Sequence, residues 1–435
     1  EKAIEYLHLA GQHAVRRSAY TEAINDLTAA LELLRTQPDT TKRAQRELSV
    51  HVTLGPALIT TKGWAAWEVG QAYARARELC LQVGETPHLC PVPFGMWAFY
   101  VVRAEHRMAY ELGKQLSSLA RSTQDPAPSL QAHIALGDSS VCLGELASAR
   151  GHLEQGIALY EPRRHYSLAF LYGGADPGVN DLSYMALALW LLGYPDQALK
   201  KSHEALTLAQ ELSHPFSLAW ALSFAAWLQQ VRREGQATQE RAEPAIALST
   251  EQGFPFWLGW ATVLRGWALT EQGQGEKGIA QIHQGLATYQ ATGAGLGQSD
   301  FLALLAEAYG KAGQTEEGLG VLAEAMTLVD KNDERFYEAE LYRIKGTLTL
   351  QEANQKAKGK RQKSKIETNP QSLTPNPQGE VEQEAEGYFL KAIAIAQKQQ
   401  AKSLELRATL SLAQLWQSQG KTDEAHQMLT KIYGW

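Results

Sequence analysis

Small residues return every forty positions through the middle of this chain. Ala186, Ala226, Gly266, Ala306 and Gly346 are each forty apart, and Gly137 stands forty-nine before the first of them. Twelve residues after each anchor comes a second small or polar residue, at Ala149, Ala198, Thr238, Gly278 and Gly318. Seven further on lies a third, at Gly156, Ala205, Ala245, Gly285 and Ala325. Between Gly and Pro punctuation the apolar residues recur at helical spacing, with no sustained period of two, so the chain is predicted to be all-α. A fixed period of this length specifies a solenoid. The small positions let two helices cross closely, with Leu153, Ile282 and Leu322 filling the space between them.

The unit Phe301 to Leu328, FLALLAEAYGKAGQTEEGLGVLAEAMTL, gives the clearest reading. Its first helix should end near Ala312 and Gly313, and Thr315 is expected to cap the second, with Glu316 and Glu317 in the first turn. Comparable hairpins are marked by Gly11, Ala14, Ala23, Leu27 and Ala30 at one end and by Ala413, Trp416, Gly420, Ala425 and Leu429 at the other. The expected architecture is one elongated, right-handed superhelix of about ten helical hairpins. Its expected sections are amino-terminal repeats over 4–160, an irregular loop over 161–180 and regular forty-residue repeats over 181–353. A disordered-like basic and Pro-rich insertion over 354–382 and carboxy-terminal repeats over 383–435 follow.

The unit resembles the tetratricopeptide repeat, whose pattern Ala306, Tyr309 and Ala325 match while Gly318 replaces an expected Ala. The common repeat has about 34 residues, so these units are about six longer. A more specific resemblance covers nearly the whole chain. The strings DPGVNDLSYMALALWLLGYPDQAL (Asp176 to Leu199), ELSHPFSLAWAL (Glu211 to Leu222), EQGFPFWLGWATVLRGWAL (Glu251 to Leu269) and AKSLELRATLSLAQLWQSQGK (Ala401 to Lys421) are similar to the carboxy-terminal repeat region of large bacterial signalling proteins. In that family a class III adenylate or guanylate cyclase domain, or a kinase or regulator, precedes a signal-transducing ATPase of the AAA type and then the repeats. The resemblance implies a sensor or autoinhibitory scaffold. The start at Glu1 rather than Met fits a segment of a larger polypeptide.

Several classes are disfavoured. Forty-one Lys plus Arg against forty-seven Asp plus Glu give a net charge of −6, which offers no phosphate footprint and argues against nucleic acid. Cys80, Cys90 and Cys142 form no Cys-x-x-Cys pair, so neither a disulfide scaffold nor a zinc cluster is expected, and a reducing cytoplasm fits. No run of about 18 apolar residues predicts direct membrane insertion. Gly273, Gly275 and Gly278 have the spacing Gly-x-Gly-x-x-Gly but follow a helix rather than a strand. Gly420, Lys421 and Thr422 lack the upstream glycine of a phosphate loop, Leu415 standing in its place. His13, His152, His165 and His203 are scattered, so no catalytic residue, metal ligand or cofactor is expected.

Aromatic residues carry the sharper expectation. Superposing the repeats makes Trp220 equivalent to Trp260 and Trp227 to Trp267, so rings from neighbouring units should stack on the concave wall. Trp190, Asp300, Glu307, Glu340 and Arg343 join that wall, and the loop carrying Asp176 and Gly178 is placed to close the groove. Aromatic faces beside carboxylates and an arginine suit a peptide, a sugar or a cationic group. Large rings also fill the space between widely crossed helices, and the sequence leaves both roles open. The function expected is a non-catalytic sensor and protein-interaction module regulating an attached ATPase and an effector such as a nucleotide cyclase. Its partners would be those domains, a protein segment, or a small ligand in the groove. The alternatives are a static docking scaffold and a repeat domain that binds a peptide or small ligand.

Overall fold

The computed structural model describes residues 1–84, 91–121, 126–171, 174–364 and 377–434, with 359–364, 377 and 433 as backbone only. The described residues form ten helical hairpins. They are α1 (Lys2–Arg16) with α2 (Tyr20–Arg35), α3 (Thr41–Lys62) with α4 (Trp67–Val83), α5 (Pro91–Val102) with α6 (His106–Ala120), and α7 (Pro126–Cys142) with α8 (Leu146–Leu159). After the short α9 (Pro162–His165) and a 3-10 turn over Tyr166–Phe170 come α10 (Pro177–Leu191) with α11 (Pro195–Leu212), and α12 (Pro215–Val231) with α13 (Gly235–Gln252). The array ends with α14 (Pro255–Glu271) and α15 (Gly275–Gln290), α16 (Gln298–Lys311) and α17 (Thr315–Asn332), α18 (Glu338–Ser364) and α19 (Pro377–Gln399), and α20 (Lys402–Ser418) and α21 (Thr422–Tyr433). The chain is an all-helical solenoid of the tetratricopeptide-like kind.

The two helices of a hairpin differ in kind. All fifteen residues of α10 are buried, which marks a helix packed on every side. Its partner α11 buries Ala198, Ser202, Ala205, Leu206 and Ala209, a single stripe. From α3 to α17 first helices form an inner layer and second helices an outer one, while in the first hairpin α1 buries only a stripe, as α2 does. The forty-residue anchors sit where the layers cross. A Cβ on Gly266 would lie 2.8 Å from the Gly278 carbonyl oxygen, and one on Gly278 would lie 2.6 Å from the Gly266 carbonyl oxygen. Ile282 occupies the remaining space beside Gly266, as Leu153 does beside Gly137.

The array does not extend as a simple elongated rod, because its second turn stacks on its first at an interval of five hairpins. Tyr20 Oη lies 3.4 Å from Nε2 of His214, 194 residues away. Trp64, just after α3, packs against Phe256 at 5.0 Å and Trp257 at 5.8 Å between ring centres. The Val102 carbonyl at the end of α5 accepts from the amides of Gly295 (2.8 Å) and Leu296 (3.0 Å), before α16. The Cys142 carbonyl at the end of α7 accepts from the Arg335 amide at 2.7 Å, before α18. The Trp190 carbonyl in the last turn of α10 accepts from the Ser403 hydroxyl in α20. The last carbonyls of a helix have no partner within it, and here the next superhelical turn supplies them.

Local departures from expectation have local causes. Thr315 is the first residue of α17 rather than its cap; Gln314 holds the cap position, and the Thr315 hydroxyl donates to Gln355 Oε1 at 2.9 Å. Gly313 has φ +79, as the turn required. Helix α10 already begins at Pro177, inside the expected irregular stretch, because Pro is well placed in a first turn and Asp176 caps it. Helix α18 runs ten residues past 354, and α19 begins before 382; residues 365–376 of the insertion lie outside the described residues.

Candidate functional site

One inner-layer position, six residues before each small anchor, organises the interior. From Gly137 to Ala413 it is occupied by Gln131, Asn180, Trp220, Trp260, Asp300, Glu340 and Arg407. The first four line a cavity, and the last two belong to an ion network.

The cavity lies between the two superhelical turns. Within it the centre of a water-sized sphere can range over about 50 Å³. Helix α5 contributes Phe94, Trp97 and Val101, α7 contributes Gln131, Ile134 and Asp138, and α10 contributes Asn180 and Tyr184. The second turn closes it with Trp220 and Phe224 from α12 and with Phe256, Trp257 and Trp260 from α14; Trp64 reaches in from behind α3. Trp220, Phe224 and Trp260 form a near-parallel run, with centroid separations of 5.4 and 6.0 Å and interplanar angles of 2° and 16°. The superposed tryptophans are thus interleaved by a phenylalanine.

The polar atoms of this wall are unevenly satisfied. Trp97 Nε1 donates to Ser139 Oγ at 3.0 Å. By contrast both amide atoms of Gln131 and the indole nitrogens of Trp220, Trp257 and Trp260 are buried with no hydrogen-bond partner in the protein. Such groups are costly to bury unpaired, and four of them gathered on one cavity call for an occupant. Asn180 Nδ2 donates to both oxygens of Asp138, at 3.1 and 3.3 Å. Burial pushes the Asp138 carboxyl well above the usual aspartate value against that bond. Asp181 is fully buried, both its oxygens lack partners, and burial and then the nearby Asp138 and Asp176 push it up as well.

Asp176 and Gly178 stand at the edge of the cavity as a helix start. Asp176 Oδ1 accepts from the amides of Gly178 (2.9 Å) and Val179 (3.1 Å), and its Oδ2 accepts from the Tyr160 hydroxyl at 2.9 Å. Its own amide donates to Ser217 Oγ on α12. Burial pushes Asp176 up to about 6, opposed by these three donors. A side chain on Gly178 would strike the Tyr160 ring.

Farther along the inner layer the charges are paired. Arg343 donates to Glu307 at 2.9 Å and to Glu340 at 2.8 Å. Arg233 forks onto Glu307 at 2.6 and 2.5 Å, and Arg407 bridges to Glu340. Burial alone would raise Glu307, yet Arg233, Arg343 and Arg407 hold it well below its ordinary value. Trp227 Nε1 donates to Asp300 Oδ2 at 2.9 Å, while burial keeps Asp300 well above the usual carboxylate range. Arg233 also lies over the Trp267 ring at 5.7 Å.

The expected concave wall is therefore internal rather than an open surface: Trp220 is 9% exposed, Trp260 1% and Trp267 0%, because the second turn covers the first. Trp190 and Trp227 are buried too. The structure gathers Trp220 and Trp260 at the cavity and Glu307, Glu340 and Arg343 in the ion network. Gln131, Asn180 and Arg407 were missed, although they occupy the same register position as Trp220 and Glu340. Trp64, Phe94 and Trp97 carry no register signal, since they precede the regular repeats. Gly273 and Gly420 are positive-φ turn residues between helices, so neither glycine string forms a phosphate loop. Cys80 and Cys142 are free and buried, and Cys90 lies outside the described residues. Among the described residues no three His, Cys, Asp or Glu side chains are grouped for a metal, and no helix is long and apolar enough to cross a membrane.

No protein-family model matches the chain. An uncharacterized protein of Rhizobium meliloti (strain 1021) is 23% identical over 358 residues, covering 82% of this chain and 34% of that protein. The chain thus spans about a third of the length of this curated relative. The crystal structure of a Rap protein complexed with competence and sporulation factor is similar in fold, with TM-score 0.53 and 11% identity, covering 80% of this chain and 99% of that one. At that identity the likeness shows the fold alone. A signal transduction ATPase with numerous domains and a tetratricopeptide repeat sensor, from Pyrococcus horikoshii, matches at TM-score 0.43 and 14% identity, over 90% of this chain and 53% of that one.

Proposed function

We propose that this chain is the sensor and protein-interaction module of a larger signalling protein. In this reading, occupancy of the central cavity sets how firmly the two superhelical turns close, and closure controls an attached ATPase and, through it, an effector such as a nucleotide cyclase. The observation that carries the proposal is the position of the cavity. It lies on the seam, so an occupant touches inner helices of both turns at once, and a ligand that prefers the closed form shifts that equilibrium by its differential affinity. Trp220 and Trp260 are the principal contacts. Trp190, Trp227, Trp267, Asp300, Glu307, Glu340 and Arg343 transmit closure along the inner layer, and Asp176 with Gly178 borders the site. The aligned third of a much longer relative supports a modular setting. The resemblance to cyclase-linked and ATPase-linked repeats supports the identity of the neighbours.

Native mass spectrometry of the chain purified from its own host, followed by hydrogen exchange before and after ligand removal, tests this. One small molecule per chain is expected, and its removal should increase exchange at the Gly295, Leu296 and Arg335 amides. Unchanged protection at those seam amides on ligand loss would favour a static docking scaffold.

A further inference from the structure

Resting on the reading of the cavity as the ligand site, we propose that its ligand is a compact organic cation, an alkylated ammonium carrying a short polar arm. The ammonium sits among the rings and pairs with Asp138.

Size sets the first limit. A region of about 50 Å³ for sphere centres, enlarged by a radius of about 1.4 Å, corresponds to about 200 Å³ of space and admits roughly ten non-hydrogen atoms. A folded peptide or an oligosaccharide exceeds that.

The wall chemistry sets the second limit. Nine aromatic rings line the space, and their π faces attract alkylated ammonium groups. Asp138 is the carboxyl in that wall; among the described residues it has no ion-pair partner, and Asn180 donates to both its oxygens. No Lys, Arg or His lines the cavity, so no lining group offsets the burial that pushes the Asp138 carboxyl up, and a cationic ligand beside it would favour its ionised form. An anionic ligand would meet the Asp138 carboxyl without a lining cation to hold it. A purely apolar ligand would leave the Gln131 amide and three indole N–H groups unpaired, whereas a hydroxyl or ether on the arm gives the donors an acceptor.

The test uses choline and the neutral alcohol in which carbon replaces its nitrogen. Both are titrated into the full chain and its Asp138→Asn and Gln131→Leu variants, by calorimetry and tryptophan fluorescence. Choline is expected to bind the unaltered chain at least about tenfold more tightly than the alcohol. Asp138→Asn should bring that ratio close to one while the alcohol still binds. Gln131→Leu should weaken both probes and keep the ratio. Equal affinity for the two probes on the unaltered chain overturns the cation assignment and leaves the cavity standing as a ligand site, a result independent of whether either variant folds. Failure of both probes, with a different neutral molecule retained from the host, overturns the assignment in the same way. Failure of both with no retained molecule overturns the ligand site as well.

Discussion

Asp176 holds three structural donors with a carboxyl that burial pushes up to about 6. Against an unfolded value near 3.9 the native state binds the extra proton between about pH 4 and 6. Stability therefore falls as pH rises through that window, by up to about 3 kcal/mol from this group. Asn is an equally good cap. Asp176→Asn should thus raise stability at pH 7 relative to the unaltered chain and flatten its own share of the slope between pH 4 and 6, as read by urea unfolding at several pH values. A loss of stability at pH 7 would mean that the three donors outweigh desolvation. Single residues were the least legible part of the sequence. Thr315 had the right composition for a cap but stands one position inside its helix, and its hydroxyl goes to Gln355 of the next hairpin. A partner forty residues away leaves no local mark.

Elements were far more legible, since the period that fixes them is written in backbone sterics. The crossing of α14 and α15 requires glycine at Gly278: a Cβ there would lie 2.4 Å from Thr270 Cγ2 and 2.6 Å from the Gly266 carbonyl oxygen. Gly320, in the outer helix α17, meets nothing within 4 Å. Gly278→Ala is expected to destabilise by about 1–3 kcal/mol through overpacking against backbone. Gly320→Ala should stabilise by about 0.5–1 kcal/mol through helix propensity alone. Thermal and denaturant unfolding of the pair checks the opposite signs. The same register exposed Trp220 and Trp260, and it held Gln131, Asn180 and Arg407 as well. Reading the position rather than the residue type recovers all five. The amino-terminal rings Trp64, Phe94 and Trp97 were not recoverable in this way, as their hairpins are spaced irregularly.

For the whole molecule, the stacking of the second turn on the first depends on the small rotation accumulated over five hairpins, a quantity no window of sequence contains. The contacts that result recur at each of the five hairpin pairs. Trp64 touches Phe216, Trp220, Phe256 and Trp257, with ring centroids 5.0 to 5.8 Å apart. Trp64→Ala is expected to cost about 3–5 kcal/mol, as a buried ring usually does. Because the lost contacts are those between turns, unfolding should separate into two steps, with the seam opening before the hairpins melt. A single cooperative transition of unchanged width would show that the turns do not form a separable interface.

Solenoid genes commonly gain and lose units by unequal recombination, since each repeat interacts with its neighbours alone. This one is phase-locked. Deleting one forty-residue unit between Val231 and Gly295 would bring the wrong loop to the Val102 carbonyl, and every later pairing of the seam, at Cys142 and Trp190, would slip by one hairpin with it. A change of copy number, which an open array tolerates, would here break the seam as surely as a substitution breaks a packed core.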